Sequence, residues 1–287
     1  MQYGPAVRRR QLGAELRALR SEAGLTSSEA AALLGWHQSK VSRIETGRSG
    51  VKASDVRLLL AAYRVKDSRR SELLIAIAGA DETGAGRQHW WRAYRDLLPA
   101  TYRDFISLES QASGVRTLET SVVPGLLQTP DYARAVTRAA LCGLPEKQVD
   151  ALVEVRLARQ DVLRADPPLR LSVVVDEAVL HRPVGGRPVL AGQLARLREV
   201  SQLSHVRIQV LPFAAGEHAG LIGSFVIFSF PAIADLDVVV LDHLTSSLYL
   251  ERKEDLQAYT EAFNSLQAQA LSPEESTDFI AGLGNGA

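Results

Sequence analysis

Between His37 and Arg43 the chain places His37, Gln38, Ser39, Lys40, Ser42 and Arg43, donors and acceptors suited to base edges and phosphates. Val41 and Ile44 interrupt them at a spacing that turns the apolar pair inward and the polar set outward on a helix. The run sits within Ser27–Gly47, SSEAAALLGWHQSKVSRIETG. Two short helices that cross steeply need a small residue where their backbones meet and a glycine in the turn. Ala31 and Gly35 supply these, four positions apart, and Ala30, Leu34, Trp36, Val41 and Ile44 then face a core.

Other residues could in principle do different chemistry. Asp176, Glu177 and His181 fall on one helical turn, with His218, Asp242 and His243 elsewhere. A zinc hydrolase would show ligands at a spacing such as HExxH, and none occurs. There is no G-x-S-x-G elbow, no glycine-rich loop followed by lysine and no His-x-Lys. Helix capping by Asp176 and surface histidines account for these residues. The expectation is therefore no catalytic residue, no metal, no cofactor and no enzyme. Cys142, the only cysteine, stands between apolar neighbours and reads as a packing residue.

The elements that position the polar run are short helices. Val7–Glu22 carries Leu12, Leu16 and Leu19 on one stripe and ends at Gly24. Thr26 or Ser27 caps a second helix to about Leu34, and a third covers Gln38–Thr46 up to Gly47. Ser54 caps a fourth over Asp55–Tyr63, and a fifth covers Ser68–Ala78. Gly79–Gly86, GADETGAG, cannot hold a helix or pack. The reading is thus a domain over 1–80, a linker at 81–86 and a second domain over 87–287.

Charge divides the chain at the same place. Residues 1–70 hold 14 Lys and Arg against 6 Asp and Glu, and the rest hold 19 against 27. A basic end on an acidic body suits a polyanion bound by the end alone. Gln11–Arg20 is amphipathic rather than an apolar signal core, and Leu221–Pro231 is too short to span a bilayer. The expectation is a cytoplasmic protein with no membrane partner.

Val7–Tyr63 resembles the Xre/phage-repressor type of helix-turn-helix domain, most plainly in LTSSEAAALLG and VSRIETGR. The resemblance implies that Gln38, Ser39 and Arg43, with His37 alongside, read bases in the major groove. It implies phosphate contacts at Thr26, Ser27, Lys40, Ser42, Thr46 and Arg48. It also implies an architectural ion pair between Arg20, at the end of the first helix, and Glu45. The family often has Gln where this chain has Ser27, and a small β-branched residue where it has Trp36. One recognition helix touches only about 3–5 base pairs, so the expected form is a homodimer on a pseudo-palindromic duplex.

The second domain reads as α+β, a small sheet covered by helices. Trp90, Trp91 and Tyr94 open a helical stretch, and further helices fit Thr129–Leu141, Glu146–Ala165, Leu190–Gln202, Lys253–Ala270 and Pro273–Ile280. Strands fit Leu171–Val175, Val206–Leu211, Gly223–Phe230 and Val238–Leu241. WWRAYRDLLP, ISLESQAS, VVPGLLQTPDYARA, VRLARQDVL, VDEAVLHRPVGG and IQVLPF resemble the uncharacterised domain that follows this helix-turn-helix in many actinobacterial regulators, WhiJ-like. That resemblance implies a small neighbouring partner protein and a role in the control of development or antibiotic production. A turn at Pro124-Gly125, a cap at Thr129 and a packed Tyr132 give PGLLQTPDYARA a structural account. The sharper reading makes Gln128, Tyr132, Arg156, Arg159, Gln160 and Glu177 an effector or partner pocket. Against the regulator stands an enzyme tethered to DNA, with chemistry around Glu177 or His218.

Overall fold

The computed structural model describes residues 5–47, 49–80, 94, 97–230, 237–243 and 246–284. The expected linker, together with Trp90, Trp91 and Arg48, lies outside them. The chain forms two compact units, an N-terminal and a larger C-terminal one.

The N-terminal unit is all helical. Its helices are α1 (Pro5–Glu22), α2 (Ser27–Leu33), α3 (Gln38–Glu45), α4 (Ala53–Ala62) and α5 (Ser68–Ala80). Leu12, Leu16 and Leu19 meet Ala30, Ile44, Val56, Leu59, Leu60, Tyr63 and Leu74 in one buried cluster. Thr26 is the residue that caps α2. Its hydroxyl accepts from the Glu29 N–H while the Glu29 carboxylate accepts from the Thr26 N–H, a reciprocal box that satisfies two end donors. Gly24, Gly35 and Gly47 hold φ of 71°, 65° and 64°, left-handed turns that stop α1, α2 and α3. Ser54 does not cap α4. The helix starts one residue earlier, at Ala53, behind Lys52 with no side-chain cap.

The C-terminal unit is built on one six-stranded mixed sheet: β1 (Gly114–Glu119), β2 (Arg170–Asp176), β3 (Val206–Leu211), β4 (Phe225–Ser229), β5 (Val238–Asp242) and β6 (Ser247–Leu250). The spatial order is β3-β2-β1-β4-β5-β6. β1, β2 and β3 run parallel, whereas β4 pairs antiparallel with β1 and with β5, and β5 with β6. Helices α7 (Pro130–Ala140) and α8 (Glu146–Ala158) connect β1 to β2, and α9 (Glu177–His181) and α10 (Arg187–Val200) connect β2 to β3. Parallel neighbours require such crossovers.

Leu118, Val174, Phe225, Ile227 and Val239 face Phe263 and Leu266 of α11 (Lys253–Gln269). The opposite face meets α6 (Ala100–Gln111), where Phe105 stacks edge-on against Phe228 at 5.1 Å and the Tyr249 hydroxyl donates to the Thr101 carbonyl. α12 (Pro273–Gly284) covers the β3 edge. The Ser276 hydroxyl accepts from the Val210 N–H and the Leu271 N–H donates to the Val210 carbonyl, satisfying groups an open edge would expose. The helix expected over Glu146–Ala165 ends at Ala158 and tightens into a 3-10 segment, Arg159–Arg164. Cys142 is exposed, so the packing role expected of it does not hold.

Candidate functional site

In the N-terminal unit, α3 is fixed from behind. Val41, Ile44 and Glu45 are buried, and a Cβ added to Gly13 of α1 would fall 2.5 Å from the Ile44 carbonyl oxygen and 2.7 Å from that of Glu45. Only glycine lets the two backbones approach so closely. Beside this contact Arg20 donates through Nε to Glu45 Oε1 at 2.6 Å and through Nη2 to Oε2 at 3.0 Å. Both side chains are nearly buried, 11% and 5% exposed. The hydrogen bond to Glu45 outweighs burial and holds the Arg20 guanidinium above its ordinary value. Nearby the Tyr63 hydroxyl is buried with no hydrogen-bond partner among the described residues, and burial pushes it above the usual phenol range.

The opposite side of α3 is polar and open. His37, Gln38, Ser39 and Arg43 are exposed, with Ser39 and Arg43 one helical turn apart. Gln38 Nε2 donates to Ser27 Oγ at 3.1 Å, tying the first residue of α3 to the first of α2. The remaining residues differ in how much bonding capacity they keep. Lys40 Nζ pairs with Asp55 at 3.0 Å and lies 3.5 Å over the Trp36 ring, which anchors α3 to α4. The Thr26 hydroxyl donates to Glu29, and the Thr46 hydroxyl donates to the Ser42 carbonyl at 2.7 Å.

In the C-terminal unit five of the six candidate pocket residues come together around the turn at Gly125–Leu127. Gln128 is 2% exposed, and its Nε2 donates to the Val123 carbonyl while Oε1 accepts from Arg156 Nη1 at 2.9 Å. The Tyr132 hydroxyl accepts from the Val123 N–H, and Gln160 Nε2 donates to the Gly125 and Gln128 carbonyls. Arg159 makes a buried fork with Glu109, both contacts 2.7 Å, and donates to the Tyr102 hydroxyl. Burial works to lower the Arg159 guanidinium, but Glu109 and Tyr102 hold it above its ordinary value. Glu177 is not part of this network. It accepts from the Phe213 N–H at 2.7 Å and bonds His181 Nε2 at 3.2 Å.

Glu119, which sequence reasoning did not single out, ends β1 next to this network. Burial and the Asp242 carboxylate push its carboxyl up to about 8, against the Ser224 and Thr117 hydroxyls and the Arg156 guanidinium, which pull it down. The folded state therefore binds this proton more tightly than the unfolded chain does. Stability falls as pH rises from the ordinary carboxylate range through about 8, by up to ~1.4 kcal/mol per unit. Urea midpoints at several pH values should show this slope in the native protein and a flatter profile in Glu119→Gln. Equal slopes would remove Glu119 as its source.

An α3 pinned from behind, with a polar outer face and a glycine turn before it, defines a helix-turn-helix protein. The helix-turn-helix domain family matches residues 11–73. A domain of unknown function, DUF5753, matches residues 102–282, more than half of the chain, and the protein belongs to that family. No curated protein and no solved structure matches it. No helix among the described residues is long and apolar enough to cross a membrane.

Proposed function

We propose that the protein is a sequence-specific transcription regulator of the Xre/phage-repressor type, acting as a homodimer on a pseudo-palindromic duplex. α3 enters the major groove, where Gln38, Ser39 and Arg43 read bases and His37 flanks them. The supporting observation is the two-sidedness of α3: Gly13 and the Arg20–Glu45 pair fix its back, while Gln38 and Arg43 stand exposed on its front. Ser27, Ser42 and Arg48 serve phosphates. Thr26, Lys40 and Thr46 do so only by giving up the internal contacts described above.

The C-terminal unit, read as WhiJ-like, is proposed as a receiver of a signal from a small molecule or a small partner protein, not as an enzyme. Five of its six candidate residues support that reading by converging on one turn. Gln128 is spent on Arg156 and the Val123 carbonyl, the Tyr132 hydroxyl on the Val123 N–H, and Arg159 on Glu109 and Tyr102, so they shape the receiving site rather than touch the signal.

The test is selection of a duplex from random DNA with the full-length protein, then anisotropy titrations over a salt series. Affinity should fall linearly in a log–log plot as phosphate counterions are released. Arg43→Ala should cost ~1–3 kcal/mol at its preferred base and relax the choice there. Gln38→Ala should abolish selection while melting stays unchanged. Equal losses on selected and random DNA for both variants would refute the assignment of α3 as the reading helix.

A further inference from the structure

α3 carries three charged side chains, Lys40, Arg43 and Glu45. Two of them are matched inside the protein: Glu45 is forked to Arg20, and Lys40 Nζ lies 3.0 Å from Asp55 Oδ2. Arg43 is exposed and forms no ion pair within 4.0 Å among the described residues. The outer side of α3 therefore shows one unmatched charge, and it belongs to the arginine assigned to base reading.

Lys40 is held from two sides. The carboxylate comes from the first turn of α4, where uncapped helix N–H groups favour a negative charge. The Trp36 ring, in the turn before α3, has its centre 3.5 Å from the Lys40 ammonium and attracts it through the π face. The Lys40 and Asp55 side chains are 38% and 21% exposed, so salt screens the pair less than it would two fully exposed charges. Such a pair alone holds weakly. Here the ring and the carboxylate act on the same ammonium, and both come from backbone already fixed by packing. Trp36 lies against the N-terminal core, and Val56, next to Asp55, is buried in it. Only the lysine has to be ordered to complete the contact.

Lysines and arginines on phosphates supply sequence-independent affinity, and specificity is the ratio of selected to random binding. On a random duplex a protein settles wherever its phosphate contacts are best, whereas on a selected duplex the base contacts dictate the pose. A loose lysine on the reading helix thus strengthens random binding more than selected binding. We propose that Asp55 is a positioning residue that sets specificity: with the Trp36 ring it keeps Lys40 off the phosphates and lowers the hold of α3 on random DNA. The assignment rests on the preceding reading of α3 as the reading helix.

The experiment uses the full-length protein in anisotropy titrations over a salt series, on the duplex it selects and on a random duplex of the same length. Asp55→Asn should bind the random duplex about three- to tenfold more tightly near ~0.1 M salt and steepen its log–log salt slope by about 0.9, one further phosphate contact. The selected duplex should gain less, so the ratio falls. Asp55→Glu keeps the carboxylate and should behave as the native protein. Trp36→Leu removes the ring and no charge, and should raise random binding about twofold. Damage to the fold lowers affinity, so neither gain can come from a variant that packs badly. An unchanged slope for Asp55→Asn means that Lys40 already sits on a phosphate in the native protein, and it overturns the proposal. A steeper slope without any gain for Trp36→Leu traces the effect to the lost carboxylate alone and overturns the part given to the ring. A native protein that binds duplexes without selecting among them removes the reading of α3 itself, and that shows before any variant is compared.

Discussion

Arg159→Ala should cost the C-terminal unit on the order of 3–5 kcal/mol, enough to unfold it or nearly so. The Arg159 and Glu109 side chains are 7% and 4% exposed, joined by two contacts of 2.7 Å. Removing the guanidinium leaves the Glu109 carboxylate enclosed with no counter-charge and takes a donor from the Tyr102 hydroxyl. It also empties the space beside Phe105, whose ring centre lies 4.9 Å from the guanidinium carbon. The pair itself contributes little net stability, because both ions gave up hydration to form it. Arg159→Met combined with Glu109→Leu should therefore be milder than either single loss. Urea denaturation of the four proteins decides it, and a single loss below about 1 kcal/mol would mean that Glu109 finds water.

Gly13→Ala should destabilise the N-terminal unit by about 1–3 kcal/mol, opposite in sign to the usual effect of alanine inside a helix. The added Cβ meets the Ile44 and Glu45 carbonyls, which are backbone and cannot swing aside. α1 and α3 must separate, and the Arg20–Glu45 fork opens with them. Selective duplex binding should fall in parallel, although residue 13 is far from any base. Gly192, inside α10 with nothing within 4 Å of its Cβ position, is the control. There alanine should stabilise by about 0.5–1 kcal/mol. Thermal melts of both variants give the two signs, and a stabilised Gly13→Ala would show that α1 and α3 are not in close contact.

The N-terminal unit was readable because its signals are local. Thr26 with Glu29, the left-handed glycines and the Leu12, Leu16, Leu19 stripe each act within a few residues. Gly13 was missed because its requirement comes from a carbonyl more than thirty positions away, and Ser54 misled because a capping residue type also fits inside a first turn. In the C-terminal unit the apolar strands β2 to β5 were legible, whereas β1 and β6 were not. β1, GVRTLE, interleaves Arg116, Thr117 and Glu119 with only two large apolar residues, Val115 and Leu118, so no apolar run marks it, and β6 is four residues long. Helix α6, ATYRDFISLESQ, hides its Glu109 for the same reason: a buried carboxylate has no sequence signature until its arginine is found. PGLLQTPDYARA and Arg156–Gln160, expected to line a pocket, hydrogen-bond to one another. Glu177 joined them only by being a polar residue near a strand end.

The position of β1 at the centre of the sheet sets an order of events during synthesis. Gly114 pairs with Arg170 on one side and with Ser229 on the other, so the central strand waits for more than a hundred further residues before both neighbours exist. Closing such long loops is entropically expensive and slow. α3 and the four helices packed with it all lie within the first 80 residues. They can leave the ribosome and pack while the β4 sequence has yet to be translated. The unit proposed to engage DNA is thus complete long before its acidic body, and for that interval the nascent chain is a basic module with an unfinished sheet behind it.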